Sequence, residues 1–311
     1  MAAPSPFRTA MRTDTPSPAP AEAAASAAAD FPQATPPAPP ELLLCPPTHF
    51  SVDYVINPWM QAHVDRADTA QAQRQWDTLH AALARSAKIH RIAPGEDVPD
   101  MVFTANAGLV LGRSFVPSRF LHAQRRPEEA RFTAWFREHG FDIVELPAGM
   151  RFEGAGDALF DRGTPQPRLW MGHGHRSDLA AAFALADLLD IEVLPLRLVD
   201  PRFYHLDTCF CPLRGGWLLY RPEAFDAASR ALIEAHVAPE RRIAVDEADA
   251  LAFACNVVNL GDRVLMNRAG PGLKARLAAA GFAAEEVPMD EFLKAGGSAK
   301  CLTLRLDEAR G

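Results

Sequence analysis

Apolar and polar positions change their spacing in a fixed order toward the C-terminus. LAFACNVVNL has the composition of a strand, GDR that of a turn and VLMN that of a second strand. PGLKARLAAAGF then has the spacing of an amphipathic helix, and AAEEVPM is extended again. This order of strand, turn, strand, helix and strand predicts a ββαβ module.

The same order recurs along the chain. It fits the segments that begin VFTANAGLVLG, GDALFDRG and FYHLDTCFCPL. It fits more loosely the segment that begins SVDYVINPWM and continues into a helix through Trp76, Leu79 and Leu83. Five units repeat at a period of roughly 50 residues, which is typical of supersecondary units that cannot bury their apolar faces alone.

The last strand-like segment, KCLTLRL around Cys301, has no module of its own. We expect it to form a long strand that completes the first unit, because closure removes an exposed sheet edge. The pattern therefore predicts a closed α/β ring of five ββαβ modules that forms one domain over residues 41–311.

Polar residues recur near the start of each predicted module. Asn106, Glu153, His205 and Asp207 interrupt apolar segments, and Asn57 stands near the start of the first unit. Any one of them is equally well explained as a solvent-facing strand position. Their recurrence at one phase of the repeat favours a central polar channel in which they converge with Cys301.

The first forty residues differ from the rest in composition. They contain 13 Ala and 10 Pro, and the prolines interrupt any long helix. We interpret residues 1–40 as a disordered Ala/Pro-rich tail. AEAAASAAAD lacks the Leu and Ile of a secretory signal, although Arg8 and Arg12 leave a transit peptide as an alternative.

Charge and hydropathy exclude several classes of protein. The net charge of −7 gives no broad basic surface for nucleic acid. No apolar run approaches the roughly 18–20 residues that span a bilayer. An odd number of cysteines, five, in a long chain does not indicate a disulfide framework. We expect a cytoplasmic protein that binds neither membrane nor nucleic acid.

The cysteines differ in their surroundings. Cys301 follows GGSAK, whose glycines allow close approach of the backbone, and a neighbouring cation would activate its thiol. Cys209 and Cys211 have C-x-C spacing, but no second pair of ligands accompanies them. We interpret these two, with Cys45 and Cys255, as small buried hydrophobes and expect no metal.

Five segments together carry a resemblance to a known superfamily. They are INPWM (56–60), FTANAG (103–108), FEGAGD (152–157), HLD (205–207) and GGSAKC (296–301). In this order and spacing the chain resembles the guanidine-modifying enzymes, namely arginine deiminase, dimethylargininase, arginine dihydrolase and the amidinotransferases. The resemblance covers residues 41–311 and implies a pseudo-fivefold α/β propeller, the pentein fold.

The resemblance also implies a reaction without any cofactor. Cys301 matches the nucleophile, His205 the general acid and base, and Glu153 the carboxylate that grips the guanidinium. Asp207 matches the acid of the HLD motif. The family arginines that hold the substrate α-carboxylate are matched by Arg176 and by Arg125, for which Arg126 or Arg119 is an alternative.

These residue types suit a guanidine substrate such as arginine or methylarginine. A guanidinium with a pKa of roughly 12.5–13.8 arrives as a planar cation that carboxylates bind in a bidentate manner. Attack by Cys301 followed by protonation of the departing nitrogen by His205 would leave a covalent thiouronium. Water would then release a ureido product.

Asn106 stands where arginine deiminases and dimethylargininases usually place an aspartate. An amide can donate a hydrogen bond to the carbonyl oxygen of a ureido group, which a carboxylate cannot. Asn57 and Asn106 would therefore hold citrulline for a second attack, as in the arginine dihydrolases, which yield ornithine, ammonia and CO2. The alternative is that the amides only retune affinity in a dimethylargininase or deiminase that yields citrulline.

Two further alternatives differ in reaction or in class. An amidinotransferase would keep the thiouronium and pass it to an amine instead of water. A non-catalytic binding ring of the same fold would not need Cys301, His205 and Glu153 together. The ring of helices would also allow a homodimer.

Overall fold

The structure is a computed structural model that describes residues 38–309. These residues form five three-stranded sheets and the helices and loops that connect the strands. In each sheet the central strand pairs antiparallel with one neighbour and parallel with the other. The parallel strand follows the central strand through a helix. This connectivity is the ββαβ module that the hydrophobic pattern predicts.

The modules follow one another along the chain. The first contains β1 (Glu41–Leu44), α1 (Thr69–Ala84) and β2 (Lys88–Arg91). The second contains β3 (Gly108–Leu111), β4 (Ser114–Pro117), α2 (Arg126–Glu138) and β5 (Asp142–Ile143). The third contains β6 (Ala158–Phe160), β7 (Arg168–His173), α3 (Leu179–Leu189) and β8 (Glu192–Arg197). The fourth contains β9 (Phe210–Leu213), β10 (Trp217–Tyr220), α4 (Ala227–His236) and β11 (Arg242–Ala244).

A short helix, α5 (Glu247–Leu251), leads into the fifth module. That module contains β12 (Val258–Leu260), β13 (Arg263–Met266), α6 (Pro271–Ala279) and β14 (Ala283–Glu286). A second short helix, α7 (Asp290–Leu293), precedes the last strand, β15 (Leu304–Arg305).

The last strand completes the first module, as predicted. β15 pairs antiparallel with β1, with Leu42 opposite Arg305 and Leu43 opposite Leu304. β1 in turn pairs parallel with β2. The two ends of the described chain therefore share one sheet, and the predicted α/β fold of five ββαβ modules is confirmed.

Three details of the strand predictions are wrong. KCLTLRL is not one long strand, because Cys301 lies in a turn and only residues 304–305 pair with β1. SVDYVINPWM is a loop, and the strand of the first module is the short ELLL segment before it. LAFACNVVNL contributes helix and turn first, and pairing starts only at Val258.

The first helix packs an apolar stripe inward and begins at a capping carboxylate, and α4 and α5 also begin at capping aspartates. α1 buries Ala72, Trp76, Leu79 and Leu83, which recur at the spacing of one helix face. The Asp68 side chain accepts a hydrogen bond from the Gln71 backbone N–H, as an N-cap does. The helix predicted through Trp76, Leu79 and Leu83 is confirmed.

The predicted tail, residues 1–40, lies outside the described residues except for its last three positions. Pro40 belongs to the folded part, because its carbonyl oxygen accepts a hydrogen bond from the Lys88 backbone N–H. No helix within residues 38–309 has the length and apolarity required to cross a membrane.

Candidate active site

Short 3-10 turns ahead of the first strands of the middle modules carry the predicted polar residues. Asn106 lies in the turn Thr104–Ala107, Glu153 directly precedes Gly154–Gly156, and His205 directly precedes Leu206–Thr208. The expectation that these residues interrupt strands is wrong, since each stands one turn before its strand. The turns bring the three side chains into one buried cluster.

Glu153 is the centre of this cluster and is fully buried. Its Oε2 accepts hydrogen bonds from Nη1 of Arg176 at 2.9 Å and from Nε2 of His205 at 2.7 Å. Burial raises the pKa of Glu153, but the Arg176 charge and the His205 hydrogen bond outweigh it and hold the pKa below its ordinary value. Glu153 is therefore ionised over the whole physiological range.

His205 is held as a neutral imidazole in one tautomer. Burial lowers its pKa to about 4, against the opposing effect of Glu153. An ionised carboxylate only accepts hydrogen bonds, so Nε2 must carry the hydrogen that faces Glu153. Nδ1 then has the free lone pair and can take up a proton.

Cys301 lies between a carboxylate and an amide. Its thiol donates to Oδ2 of Asp207 at a sulfur–oxygen distance of 3.4 Å, and Nδ2 of Asn256 lies 3.1 Å from the sulfur. Burial raises the pKa of the Cys301 thiol well above its usual range, and the Asp207 charge raises it further. Without a substrate the sulfur is therefore protonated.

This environment predicts slow alkylation of Cys301 by the neutral reagent iodoacetamide. We expect the rate to keep rising with pH above pH 9, because only the thiolate reacts. Asp207→Asn removes the carboxylate and should speed the reaction at pH 8, whereas the exposed Asp187→Asn should not. Peptide mass spectrometry would identify the labelled cysteine, and a rate independent of pH near neutrality would mean that the thiolate already exists at rest.

Asn256 is the functional residue that the sequence reasoning missed. Its Oδ1 accepts hydrogen bonds from the backbone N–H groups of Lys300 and Cys301, and its Nδ2 also donates to the Asp207 carbonyl oxygen. The amide therefore ties the turn that holds the nucleophile to the HLD segment. The spacing of the repeat contained the signal, because Asn256 follows His205 by the same period of roughly 50 residues.

Asp207 has one oxygen free for a ligand. Its Oδ1 is buried and has no hydrogen-bond partner among residues 38–309. Burial raises the pKa of Asp207 to about 6, although the charge of Lys300 and the hydrogen bonds from Cys301 and Asn256 oppose the rise. This carboxyl group is thus close to the point at which it exchanges a proton near neutral pH.

Arg125 is fixed by a buried network. Its Nε and Nη2 donate to the two carboxylate oxygens of Glu128, and its Nη1 donates to Oδ1 of Asn106 at 3.0 Å. Arg126 and Arg119, the alternatives, are bound to carbonyl oxygens or to the exposed Glu145. Arg125 is the member of this group that borders the cavity beside Cys301.

Asp100 also borders this cavity, and the sequence reasoning did not single it out. The Tyr54 hydroxyl donates to its Oδ2, while its Oδ1 is buried without a partner within the described residues. Burial raises the pKa of Asp100, and the Arg125 charge opposes the rise. An unpaired carboxylate oxygen next to an arginine suits the α-ammonium and α-carboxylate of an amino acid.

Both asparagines keep one amide hydrogen free. Nδ2 of Asn57 donates to the Ala295 carbonyl oxygen, and Nδ2 of Asn106 donates to that of Glu153. Each amide nitrogen carries two hydrogens, so one remains on each. Both residues border the cavity.

Gly296 lies against Tyr204 and Asn57, two of the residues that border the cavity. It adopts a positive φ of 82°, and a Cβ there would lie 2.7 Å from the Tyr204 hydroxyl and 3.0 Å from Oδ1 of Asn57. The predicted close approach of the GGSAKC backbone is thus explained by the Asn57 side chain.

The predicted site residues divide into two layers. Six of them line one small cavity, namely Asn57, Asn106, Arg125, Arg176, His205 and Cys301. Glu153 lies behind this wall and holds Arg176 and His205, and Asp207 lies behind Cys301. Within residues 38–309, no three His, Cys, Asp or Glu side chains are grouped so that they could hold a metal ion, and the expected absence of metal and cofactor stays a prediction.

The other four cysteines are buried and unpaired, like Cys301. Burial raises the pKa of each, to about 12 for Cys45 and Cys211. None of the four lines the cavity beside His205.

The comparison with known families decides the assignment. Residues 47–307 match the family described as N,N dimethylarginine dimethylhydrolase, eukaryotic. The chain belongs to the dimethylargininase family. The resemblance to guanidine-modifying enzymes is confirmed. A further member is the N(G),N(G)-dimethylarginine dimethylaminohydrolase of Mycobacterium tuberculosis, 38% identical over 85% of this chain and 84% of that one.

Within the dimethylargininase family the chain is also similar to the bifunctional arginine dihydrolase/ornithine cyclodeaminase ArgZ of Synechocystis sp. The two are 55% identical over 86% of this chain, but only over 38% of ArgZ. The chain therefore spans less than half the length of that relative. The crystal structure of the ArgZ N-terminal domain, a cysteine-to-serine variant bound to substrate, matches with a TM-score of 0.86 and 53% identity over 88% of this chain and all of that one.

Proposed function

We propose that the protein is a cysteine-dependent hydrolase of guanidines and that it converts arginine to ornithine, ammonia and CO2. The observation that carries the proposal is the single cavity shared by Cys301, His205 and the two asparagines. The similarity to the ArgZ N-terminal domain, whose known structures include a substrate complex and a product complex, supports the same substrate. We place the reaction in the cytoplasm.

Binding of the substrate begins with its charges. Arg125 and Arg176 take the α-carboxylate, and the free Oδ1 of Asp100 takes the α-ammonium. Nη1 of Arg176 donates a hydrogen bond to Oε2 of Glu153. The substrate guanidinium therefore competes with Arg176 for that carboxylate or binds Oδ1 of Asp207, which has no partner within residues 38–309. A cation at this position lowers the pKa of the Cys301 thiol, which turns substrate binding into the activating step.

The first half-reaction forms the thiouronium. The Cys301 sulfur attacks the central guanidino carbon, and the thiol proton passes to Nδ1 of His205. The protonated imidazole then gives a proton to the departing nitrogen, which leaves as ammonia. Nδ1 of His205 next takes a proton from water, whose oxygen attacks the thiouronium and releases citrulline.

The second half-reaction distinguishes a dihydrolase from a deiminase. The free amide hydrogens of Asn57 and Asn106 donate to the ureido oxygen, which holds citrulline for another attack by Cys301. Ammonia leaves with a proton from His205, which gives a thiocarbamate on Cys301. Water, deprotonated by His205, hydrolyses the thiocarbamate and frees the thiolate, and the resulting carbamate of ornithine decomposes to ornithine and CO2. Incubation with arginine, with separate assays of ammonia, citrulline and ornithine, tests this sequence, and a complete lack of turnover of any guanidine would contradict it.

Asn106→Asp should shift the product of arginine from ornithine toward citrulline. Nδ2 of Asn106 donates to the Glu153 carbonyl oxygen at 2.9 Å. The change removes this amide donor and places a carboxylate oxygen next to that carbonyl oxygen. We expect the ornithine-to-citrulline ratio to fall roughly tenfold or more, the scale of one lost hydrogen bond to a bound ligand. An unchanged ratio would remove the assigned role of the amide.

Asn267→Asp is the matched control for this variant. Asn267 is also buried, donates to the Ala252 carbonyl oxygen and accepts from the Met289 backbone N–H, but it does not border the cavity. Its product ratio should stay that of the unmodified protein.

A second candidate is a dimethylargininase that releases methylamines and citrulline. The 38% identity to the Mycobacterium tuberculosis dimethylarginine dimethylaminohydrolase favours it. Comparison of kcat/KM for arginine and for asymmetric dimethylarginine shows which substrate the protein prefers. Assay of the products distinguishes the two candidates, because only the dihydrolase produces ornithine. Release of citrulline alone from either substrate would favour the second candidate.

A further inference from the structure

A second cavity has a lining separate from that of the proposed active site. Its volume is about 350 Å³, which is within the range of sites for small molecules. It is bordered by the first strands of the modules, and Lys300, directly before Cys301, is part of its wall. Its lining residues include Leu42, Leu109, Leu159, Val258 and Leu304. We call it the axial cavity.

The axial cavity combines an apolar wall with an excess of positive charge. The charged residues that border it are Lys300, Arg162, Arg214, Arg305 and Glu308. Arg162 is paired with Glu308, and Arg305 with Asp307. Within the described range, 38–309, the ammonium of Lys300 and the guanidinium of Arg214 have no ion-pair partner.

Lys300 connects the axial cavity to the nucleophile. Its backbone N–H donates to Oδ1 of Asn256, which also holds the Cys301 backbone, while its Nζ donates to the Ala155 carbonyl oxygen at 3.3 Å. That contact uses one of the three ammonium hydrogens. A half-buried cation with two free donors beside an apolar wall is stabilised by an anion.

We propose that the axial cavity binds a linear aliphatic carboxylate, with its carboxylate on Nζ of Lys300 and its chain along the apolar wall. The unpaired cation accounts for the charge of the ligand, and the leucine and valine side chains account for its aliphatic part. A short carboxylate such as acetate leaves this wall uncovered, and an aliphatic amine places like charges together.

Occupation of the axial cavity has a consequence for Cys301 in the proposed active site. The positive charge of Lys300 opposes the rise in the pKa of both Asp207 and Cys301. A carboxylate on Lys300 cancels this charge, so the pKa of the Cys301 thiol rises and the thiolate forms less readily. The ligand therefore inhibits without competing with the guanidine, a consequence that rests on the proposed function.

The test is calorimetric titration of octanoate into the full chain, because binding does not depend on activity. We expect one saturable site, at least tenfold weaker binding of acetate, and no binding of octylamine. Lys300→Met should weaken octanoate binding at least tenfold, whereas Lys300→Arg, which keeps the charge, should stay within about threefold of the unmodified protein. No saturation, or equal affinity in Lys300→Met, overturns the proposal.

Two further measurements exclude other locations of the ligand. Octanoate should bind equally well to the Cys301→Ser variant saturated with arginine, and displacement by arginine would instead place it on the α-carboxylate site. A crystal structure with octanoate decides even if Lys300→Met fails to fold, because the ligand is then seen either on Lys300 or elsewhere.

Kinetics separate this proposal from the proposed function. With arginine as substrate, octanoate should lower kcat and leave KM unchanged, and a rise in KM alone would contradict the coupling. A protein that binds octanoate but turns over no guanidine would refute the proposed function and leave the axial site in place.

Discussion

Cys301→Ser is expected to abolish turnover of arginine while the chain stays folded. Removal of a nucleophile costs roughly 10⁶-fold in kcat, because a serine hydroxyl is not ionised by a neighbouring cation as a thiol is. The serine can still donate to Oδ2 of Asp207 and accept from Nδ2 of Asn256, so both local contacts are kept. We expect the thermal midpoint to change by only a few degrees.

Cys255→Ser and Cys209→Ser are the controls for this variant. Both thiols are fully buried, like Cys301, and lie outside the cavity next to His205. They should retain kcat once corrected for the folded fraction. Steady-state ammonia release and mass spectrometry of the trapped adduct check both statements, and activity that survives in Cys301→Ser but not in Cys255→Ser would identify a different nucleophile.

Glu153→Gln is expected to lower kcat by roughly 10²–10⁴-fold, the range of a lost acid–base function. Glutamine has nearly the same shape but no charge, so the guanidinium of Arg176 is left without its counterion. The tautomer of His205 is no longer fixed, because an amide both donates and accepts. The free energy of unfolding should also fall by about 3 kcal/mol or more, as when one partner of a buried ion pair is removed.

Glu291→Gln provides a matched control. Glu291 is buried, pairs with Lys294 and accepts the Asp68 backbone N–H, whereas the Glu153 side chain binds Arg176 and His205, which line the cavity. Its loss should affect unfolding in denaturant and leave kcat unchanged. If Glu153→Gln proved equally harmless to kcat, the dyad with His205 would be structural only.

The number and order of the modules could be predicted from the sequence, because hydrophobic spacing follows the secondary structure directly. The exact strands could not. Short segments such as ELLL at residues 41–44 carry little periodicity, and the longer SVDYVINPWM, with six apolar residues among ten, attracted the prediction instead. The 3-10 turns at Asn106 and His205 have no period of their own that separates them from the strands that follow.

The composition of the site was predictable from the recurring polar positions, but its layers were not. Nothing in the spacing indicates that Glu153 lies behind Arg176 and His205 rather than in the cavity wall. Asn256 was overlooked because it stands within the apolar segment LAFACNVVNL, which the hydrophobic pattern assigns to a strand. The partners of Arg125 depend on contacts between modules, which a pattern within one module does not contain.

The pairing of β15 with β1 makes the first module depend on the end of the chain. Glu41 and Asp307 are hydrogen-bonded across 266 positions of sequence, and Cys301 is positioned only once the strand after it has found its place. A polypeptide that ends before β15 therefore contains most of the proposed substrate-binding groups, but its first sheet lacks one strand.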